Sequence, residues 1–71
     1  MVNSALLEER IKAAGYGIAE FADLVGISRA AFYLKKKNQR EFKGREISKI
    51  CEVLNLDIYD KDKIFFAGNV A

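Results

Sequence analysis

Apolar residues recur three and four positions apart along most of the chain, which is the spacing of one face of an α-helix. Polar and small residues separate these segments, and Phe42 is expected to anchor the polar loop 38–43. The pattern therefore predicts short helices packed around a small core. The apolar positions are Leu6, Leu7, Ile11 and Ala14; Ile18, Phe21, Ala22 and Val25; Ala31 and Phe32; and Ile47, Ile50, Cys51 and Leu54.

Residues that favour helix ends lie between these segments. Asn3 or Ser4 is expected to cap the first helix and Ser28 the third, because such side chains accept hydrogen bonds from the free N–H groups of a first turn. Gly15 and Gly26 follow the first two helices, since glycine readily adopts the left-handed backbone that ends a helix.

The helical pattern is clear over a fourth segment, predicted at about Gly44–Leu54, and weakens after it. Asp57 is expected to cap a short fifth helix that ends near Lys63, with inward side chains at Leu56, Ile58 and Tyr59. The run IFF at 64–66 is too apolar to lie free in water. It is expected to complete the core, to contact a second copy of the chain, or both, and a strand is the remaining alternative.

Composition excludes several classes of protein. The chain has 71 residues, one cysteine and no histidine, which corresponds to a single domain over residues 1–71. We expect no disulfide and no Cys/His metal site, and nothing in the sequence predicts a cofactor or a small-molecule ligand. An enzyme is not expected, because the chain offers neither a histidine base nor a glycine-rich phosphate loop. Without an apolar span or export signal, a cytoplasmic location is expected.

Basic residues are concentrated in one part of the chain. Residues 29–49 hold eight basic and two acidic side chains, a net charge of +6, whereas the remainder holds four basic and eight acidic ones, a net charge of −4. A domain with this distribution has a positive face, for which a polyanion is the natural partner. A run of charged residues is also compatible with an ordinary solvated surface. The structural context of the run distinguishes this alternative from a surface that binds a polyanion.

A helix-turn-helix is predicted over about residues 18–36. Gly26 supplies the backbone that a tight turn needs, and Ala22, four residues earlier, lets the two helices approach closely. Ile27 and Phe32 supply apolar contacts after the turn, and Ser28 caps the second helix of the motif. The basic run follows at the helix end where the dipole favours positive charge.

The stretch FADLVGISRAAFYLKKKNQR resembles the helix-turn-helix of phage lambda-repressor and Cro-type proteins, the XRE family. The similarity extends over about residues 6–67, and the matching residues are Phe21, Ala22, Gly26, Ile27, Ser28 and Phe32. It implies an all-α, compact five-helix lambda-repressor-like domain whose third helix enters the major groove of double-stranded DNA. The stretches EISKICEVLNL and IFFA are similar to a short phage and prophage subgroup, which implies a sequence-specific transcriptional regulator, a Cro-type repressor.

In this motif the positions that face bases lie at the start of the third helix and one turn later, and here they are Ser28, Arg29, Ala30 and Tyr33. Arg29 can bond guanine O6 and N7 together, unless it is a surface residue paired to Asp23 or Glu20. Ala30 can touch a thymine methyl group. Tyr33 can contact a base or a phosphate, or pack over the lysine stems.

The resemblance also implies which residues contact phosphates. The basic candidates lie at the end of the third helix, in the loop and at the start of the fourth helix: Lys36, Lys37, Arg40, Lys43 and Arg45. The chain departs from the family at the start of the second helix, where Gly17 and Ile18 stand in place of the usual threonine and glutamine. A phosphate contact there would come from the backbone N–H groups of Ile18 and Ala19.

One reading helix covers few base pairs, so specific binding usually uses two copies spaced about 34 Å apart. We therefore expect a homodimer, at least on DNA, and a pseudo-palindromic operator. The dimer contact is expected within residues 56–67, at Tyr59, Phe65 and Phe66. The alternative function is a helix-turn-helix-shaped protein-interaction module without DNA binding, which the departures at Gly17 and Ile18 favour.

Overall fold

Five α-helices account for most of residues 1–66, the part of the chain that the computed structural model describes. They are α1 (Ser4–Ala13), α2 (Ile18–Leu24), α3 (Arg29–Lys36), α4 (Gly44–Leu54) and α5 (Ile58–Phe65). No strand occurs in this range, and the predicted all-α, five-helix fold is confirmed. Within the same range no helix is both long and apolar enough to cross a bilayer. Ala67, at the end of the predicted contact tail, lies outside the described residues.

Short polar side chains begin three of the helices by accepting a hydrogen bond from the N–H group three residues later. Asn3 does so at 3.1 Å for α1, Ser28 at 3.1 Å for α3, and Asp57 at 2.8 Å for α5. The predicted caps at Ser28 and Asp57 are confirmed, and Asn3 rather than Ser4 caps α1. These bonds satisfy N–H groups that have no partner inside the helix.

The first four helices end in the same way, with a residue in the left-handed backbone region just beyond each helix. These residues are Gly15, Gly26, Asn38 and Asn55, with φ values of 90°, 78°, 65° and 53°. In each case the following residue donates its N–H to a carbonyl five positions earlier, at 2.9 to 3.1 Å. Because these bonds satisfy carbonyls that a helix end leaves free, each change of chain direction is fixed locally.

Aromatic rings form a continuous row through the core. Their centroids lie 5.8 Å apart for Tyr16 and Phe21, 5.9 Å for Phe21 and Phe32, 5.7 Å for Phe32 and Phe42, and 5.6 Å for Phe42 and Phe65. The last three pairs meet edge to face, an arrangement that the ring quadrupoles favour. The row connects α2, α3, the loop and α5, and Phe42 anchors the loop as predicted.

The predictions for the side chains of α5 are partly wrong. Ile58 and Tyr59 are predicted to point inward, but they are 67% and 73% exposed. Ile64 is fully buried, and at about 100° per residue Ile58 lies roughly 120° around the helix from it. Phe65, expected as a dimer contact, is 4% exposed and packs against Phe42. Ile64 and Phe65 therefore complete the core, and Phe65 is not available for a partner.

Two lysines of α3 form ion pairs with neighbouring helices. Lys35 Nζ lies 2.7 Å from Glu46 Oε1 in α4, and both side chains are largely buried. Burial acts to raise the pKa of Glu46, but hydrogen bonds from Lys35 and the Lys43 N–H outweigh it and place this pKa below its ordinary value. Lys36 Nζ lies 2.9 Å from Glu8 Oε2 in α1, and the bond lowers the pKa of Glu8. These pairs hold α3 between α1 and α4.

Two polar contacts join α1 to α5. The Asn3 N–H donates to the Ile64 carbonyl oxygen at 2.7 Å, so the cap of α1 is bonded to the last turn of α5. Arg10 Nη2 lies 2.8 Å from Asp60 Oδ1, with both side chains partly buried. α1 therefore contacts α5 through polar groups as well as through the core.

Replacing Lys35 by methionine leaves the Glu46 carboxylate without its cation. We expect the free energy of unfolding to fall by about 3 kcal/mol, the low end for breaking a buried pair, because the Lys43 N–H still donates to the carboxylate. Urea denaturation followed by circular dichroism measures the change. The matched control is Lys49→Met, whose exposed pair with Glu52 is 3.6 Å long and is worth less than about 1 kcal/mol. Equal losses in the two variants would contradict the role of Lys35.

Replacing Gly26 by alanine tests the left-handed turn without a steric complication, because a methyl group there meets no atom within 4 Å. We expect a loss of about 1–2 kcal/mol in unfolding free energy, the cost of the left-handed region for a residue with a Cβ. Gly44→Ala is the control: its methyl group is equally free of contacts, and removing glycine from a helix stabilises by about 0.4–1 kcal/mol. Thermal melts that shift in the same direction for both variants would contradict this account.

Candidate nucleic-acid interface

The connection between α2 and α3 is a tight turn at Gly26. The Ile27 N–H after it reaches back to the Ala22 carbonyl at 3.0 Å. Ala22 and Ile27 are both buried and belong to the core. The chain enters α3 directly behind the Ser28 cap. Within residues 18–36 the structure therefore has two short helices, α2 and α3, joined by a tight turn at Gly26.

α3 has a buried inner face and an exposed outer face. Phe32, Lys35 and Lys36 are buried on the inner face. The outer face consists of exposed residues that the 3.6-residue period brings to one side of the helix: Arg29, Ala30, Tyr33 and Lys37. Ser28, the cap, is exposed at the start of the helix. The four residues predicted to contact bases are thus all exposed, three of them on the outer face and Ser28 at the helix start.

Arg29 lies at the start of the outer face and is paired with Asp23 of α2. Its Nη2 atom lies 2.8 Å from Asp23 Oδ2, and its Nε atom lies 3.5 Å from Oδ1. The hydrogen bond with Asp23 raises the pKa of Arg29 and lowers that of Asp23. The sequence left open a pairing with Asp23 or with Glu20, and the structure places Asp23 in that role.

The ring of Tyr33, a residue of the outer face, lies within cation–π distance of two ammonium groups. Lys37 Nζ is 4.5 Å and Lys36 Nζ 5.4 Å from the centre of its ring, which are cation–π distances. A hydrogen bond with Lys37, followed by the charge of Lys37, lowers the pKa of Tyr33. The packing against lysines considered from the sequence is therefore present, and half of the Tyr33 surface stays exposed.

Four of the five cations expected to contact phosphates are exposed. They lie between the end of α3 and the first turn of α4: Lys37, Arg40, Lys43 and Arg45. Lys36 differs, because it is 8% exposed and its ammonium group is bonded to Glu8. The expectation for Lys36 is corrected accordingly: its charge serves an internal ion pair and does not lie on the open surface.

A carboxylate lies at the start of α2, near the backbone groups of Ile18 and Ala19. The Gly17 N–H donates to Glu20 Oε1 at 3.3 Å. Ile18 is half-buried and packs against the core, whereas Ala19 is exposed. Glu20 thus supplies negative charge at the positive end of the helix dipole, where a phosphate contact was expected.

The charge count from the sequence did not reveal that Lys35 and Lys36 are neutralised in internal ion pairs. A signal for them was present, since the two lysines follow the buried Phe32 by three and four residues and so share its side of the helix. Counting both among the solvated charges overstates the positive charge that α3 presents to a partner.

Comparison with known proteins agrees with this geometry. A family model described as Cro/C1-type HTH DNA-binding domain matches residues 7–60. The match includes all of α2, α3 and α4, and with them the whole outer face and the four exposed cations. No curated protein matches the chain.

The pKa of Tyr33 provides a probe of the outer face. We expect this phenol to lose its proton below the ordinary pKa of about 10, because Lys37 stabilises the phenolate. Lys37→Gln should raise the pKa towards the ordinary value, whereas Lys43→Gln should leave it unchanged. Carbon NMR of the labelled tyrosine ring, recorded against pH, measures both shifts. An identical Tyr33 titration in the wild type and in Lys37→Gln would contradict the contact.

Proposed function

This chain belongs to the Cro/C1-type HTH DNA-binding domain family, and from that membership we propose that it is a sequence-specific regulator of transcription that binds double-stranded DNA with α3 in the major groove. The observation that carries the proposal is the outer face of α3, which is exposed and polar while Phe32 fixes the opposite side in the core. A helix about 10–12 Å in diameter fits a major groove about 12 Å wide.

We propose that the start of the outer face reads bases. Arg29 donates two hydrogen bonds to guanine O6 and N7, and Ala30 contacts a thymine methyl group. Ser28 lies at the helix start, where its hydroxyl oxygen already accepts a hydrogen bond from the Ala31 N–H. The hydroxyl therefore contacts a base through a second hydrogen bond, made directly or through a bridging water. Tyr33, one turn further, contacts a base or the adjacent phosphate.

The four exposed cations supply most of the affinity in this proposal, because phosphate contacts release counterions from DNA without reading its sequence. They are Lys37, Arg40, Lys43 and Arg45. The N–H groups of Ile18 and Ala19 add a phosphate contact at the start of α2. Glu20, which already occupies this helix end, weakens that contact.

The proposed active form on DNA is a homodimer that binds a pseudo-palindromic operator. α5 and its C-cap support this, since Tyr59 is 73% and Phe66 40% exposed, and Ile58, next to Tyr59 in sequence, is exposed as well. Phe65 is left out because it lies in the core. In our proposal the dimer acts as a Cro-type repressor of a phage or prophage.

The second candidate function is a protein-interaction module that keeps the helix-turn-helix shape without binding DNA. The observation that favours it is the Glu20 carboxylate at the start of α2, where it repels a phosphate. The exposed apolar side chains of α5 would then form the working surface.

Selection of bound duplexes from a random pool tests the proposal. We expect a pseudo-palindromic consensus with half-sites about one helical turn apart. Binding to the selected duplex should weaken with salt, with a slope of log K against log salt near −3 to −4 per subunit for about four phosphates. Lys37→Gln and Arg40→Gln should each reduce the slope by about 1.

The control variant is Lys63→Gln, which removes an exposed lysine of α5 and should leave the salt slope unchanged. A consensus without symmetry would contradict the dimer, and affinity that does not respond to salt would contradict phosphate binding. If no duplex is enriched, the protein-interaction module is the better account.

A further inference from the structure

Asp23 accepts hydrogen bonds from one edge of the Arg29 guanidinium group, the edge formed by Nε and Nη2. The two contacts use Nε and Nη2, at 3.5 Å and 2.8 Å. A guanidinium carries five N–H bonds in a rigid plane, one on Nε and two on each Nη atom. The edge formed by Nη1 and Nη2 therefore keeps three of its four N–H bonds for another partner.

We propose that Asp23 is a positioning residue for base recognition: it holds the Nε side of Arg29 so that the Nη1–Nη2 edge is presented to guanine. This inference rests on the proposed function, in which Arg29 reads a base. Guanine offers O6 and N7 side by side, and a guanidinium edge with two parallel N–H bonds matches them. The Asp23 carboxylate binds the Nε–Nη2 edge, which is not used in the contact with guanine.

The Arg29–Asp23 ion pair contributes little to the stability of the fold. The side chains of Arg29 and Asp23 are 67% and 57% exposed, and exposed ion pairs add little to stability. The Asp23 carboxylate instead restricts the conformations of the Arg29 side chain. A free arginine must be immobilised when it binds a base, and a side chain that is already held avoids most of that cost. The charges persist at neutral pH, since the pairing raises the pKa of Arg29 and lowers that of Asp23.

Asp23 also has an effect that is separate from positioning. Its negative charge repels the phosphates of any duplex, whatever the sequence, so removing it strengthens binding to all DNA. Discrimination between guanine and other bases isolates the positioning effect, because a uniform change in affinity cancels in the ratio of two dissociation constants. The ratio is also insensitive to a general loss of folded protein.

The experiment compares five proteins: the wild type, Asp23→Asn, Glu20→Gln, Arg29→Ala and the double variant that carries both Asp23→Asn and Arg29→Ala. Each is titrated by fluorescence anisotropy with the duplex that the wild type selects, and with duplexes in which each G·C pair is replaced in turn. Glu20→Gln is the matched control, because it also turns an α2 carboxylate into an amide and keeps an acceptor for the Gly17 N–H. Circular dichroism melts check that the variants fold.

We expect the wild type to prefer guanine at one position by about 5- to 150-fold, and Arg29→Ala to lose that preference. Asp23→Asn should reduce it by about two- to tenfold, the effect of immobilising one long side chain, while it binds random duplex more tightly. Glu20→Gln should leave the preference unchanged. In an Arg29→Ala background, Asp23→Asn should have no effect on any base preference.

Two results would overturn the inference in distinguishable ways. If Arg29→Ala abolishes the preference but Asp23→Asn leaves it unchanged or sharpens it, Asp23 only competes with DNA for Arg29, and the proposed function stands. If Arg29→Ala leaves every base preference intact, Arg29 is not a reader, and both its proposed role and the positioning role of Asp23 fail.

Discussion

The packing of Phe32 is the contact on which the rest of the structure depends. Its ring meets Phe21 edge to face on one side and Phe42 on the other, and it is almost completely buried. α3 has only eight residues, and a helix so short is unstable in water without tertiary contacts. By burying one side of α3, Phe32 both stabilises the helix and decides which of its side chains face outward.

The burial of Phe32 also determines which basic side chains of α3 are exposed. Lys35 and Lys36 flank Phe32 on the inner face, so their charges are neutralised by carboxylates of α4 and α1. The exposed positive charge therefore lies further along the chain, from the end of α3 through the loop to α4. Two cations hold the helix in place while others remain free for a polyanion, although one uninterrupted run in the sequence contains both kinds.

Local features of the fold could be predicted from the sequence, and features set by the mutual rotation of helices could not. Gly26, the Ser28 cap and the bounds of α4 depend on neighbours a few residues away, and each was predicted. The prediction for Ile58 is wrong because a helix that ends near Lys63 leaves out Ile64 and Phe65, the two residues that define the buried side of α5. For the site, the outer face followed from helical period, whereas the Arg29 pairing was only one of several alternatives.

The bonds between α1 and α5 have a consequence for synthesis of the chain. Arg10 and Asp60 are 50 positions apart, and the Asn3 N–H is bonded to the Ile64 carbonyl. On a ribosome the helix-turn-helix emerges well before α5, yet α1 lacks its final neighbour until α5 has been translated. A nascent chain that stalls before residue 58 therefore exposes the α5-facing side of its core, and the domain becomes rigid only after α5 has emerged and packed against α1.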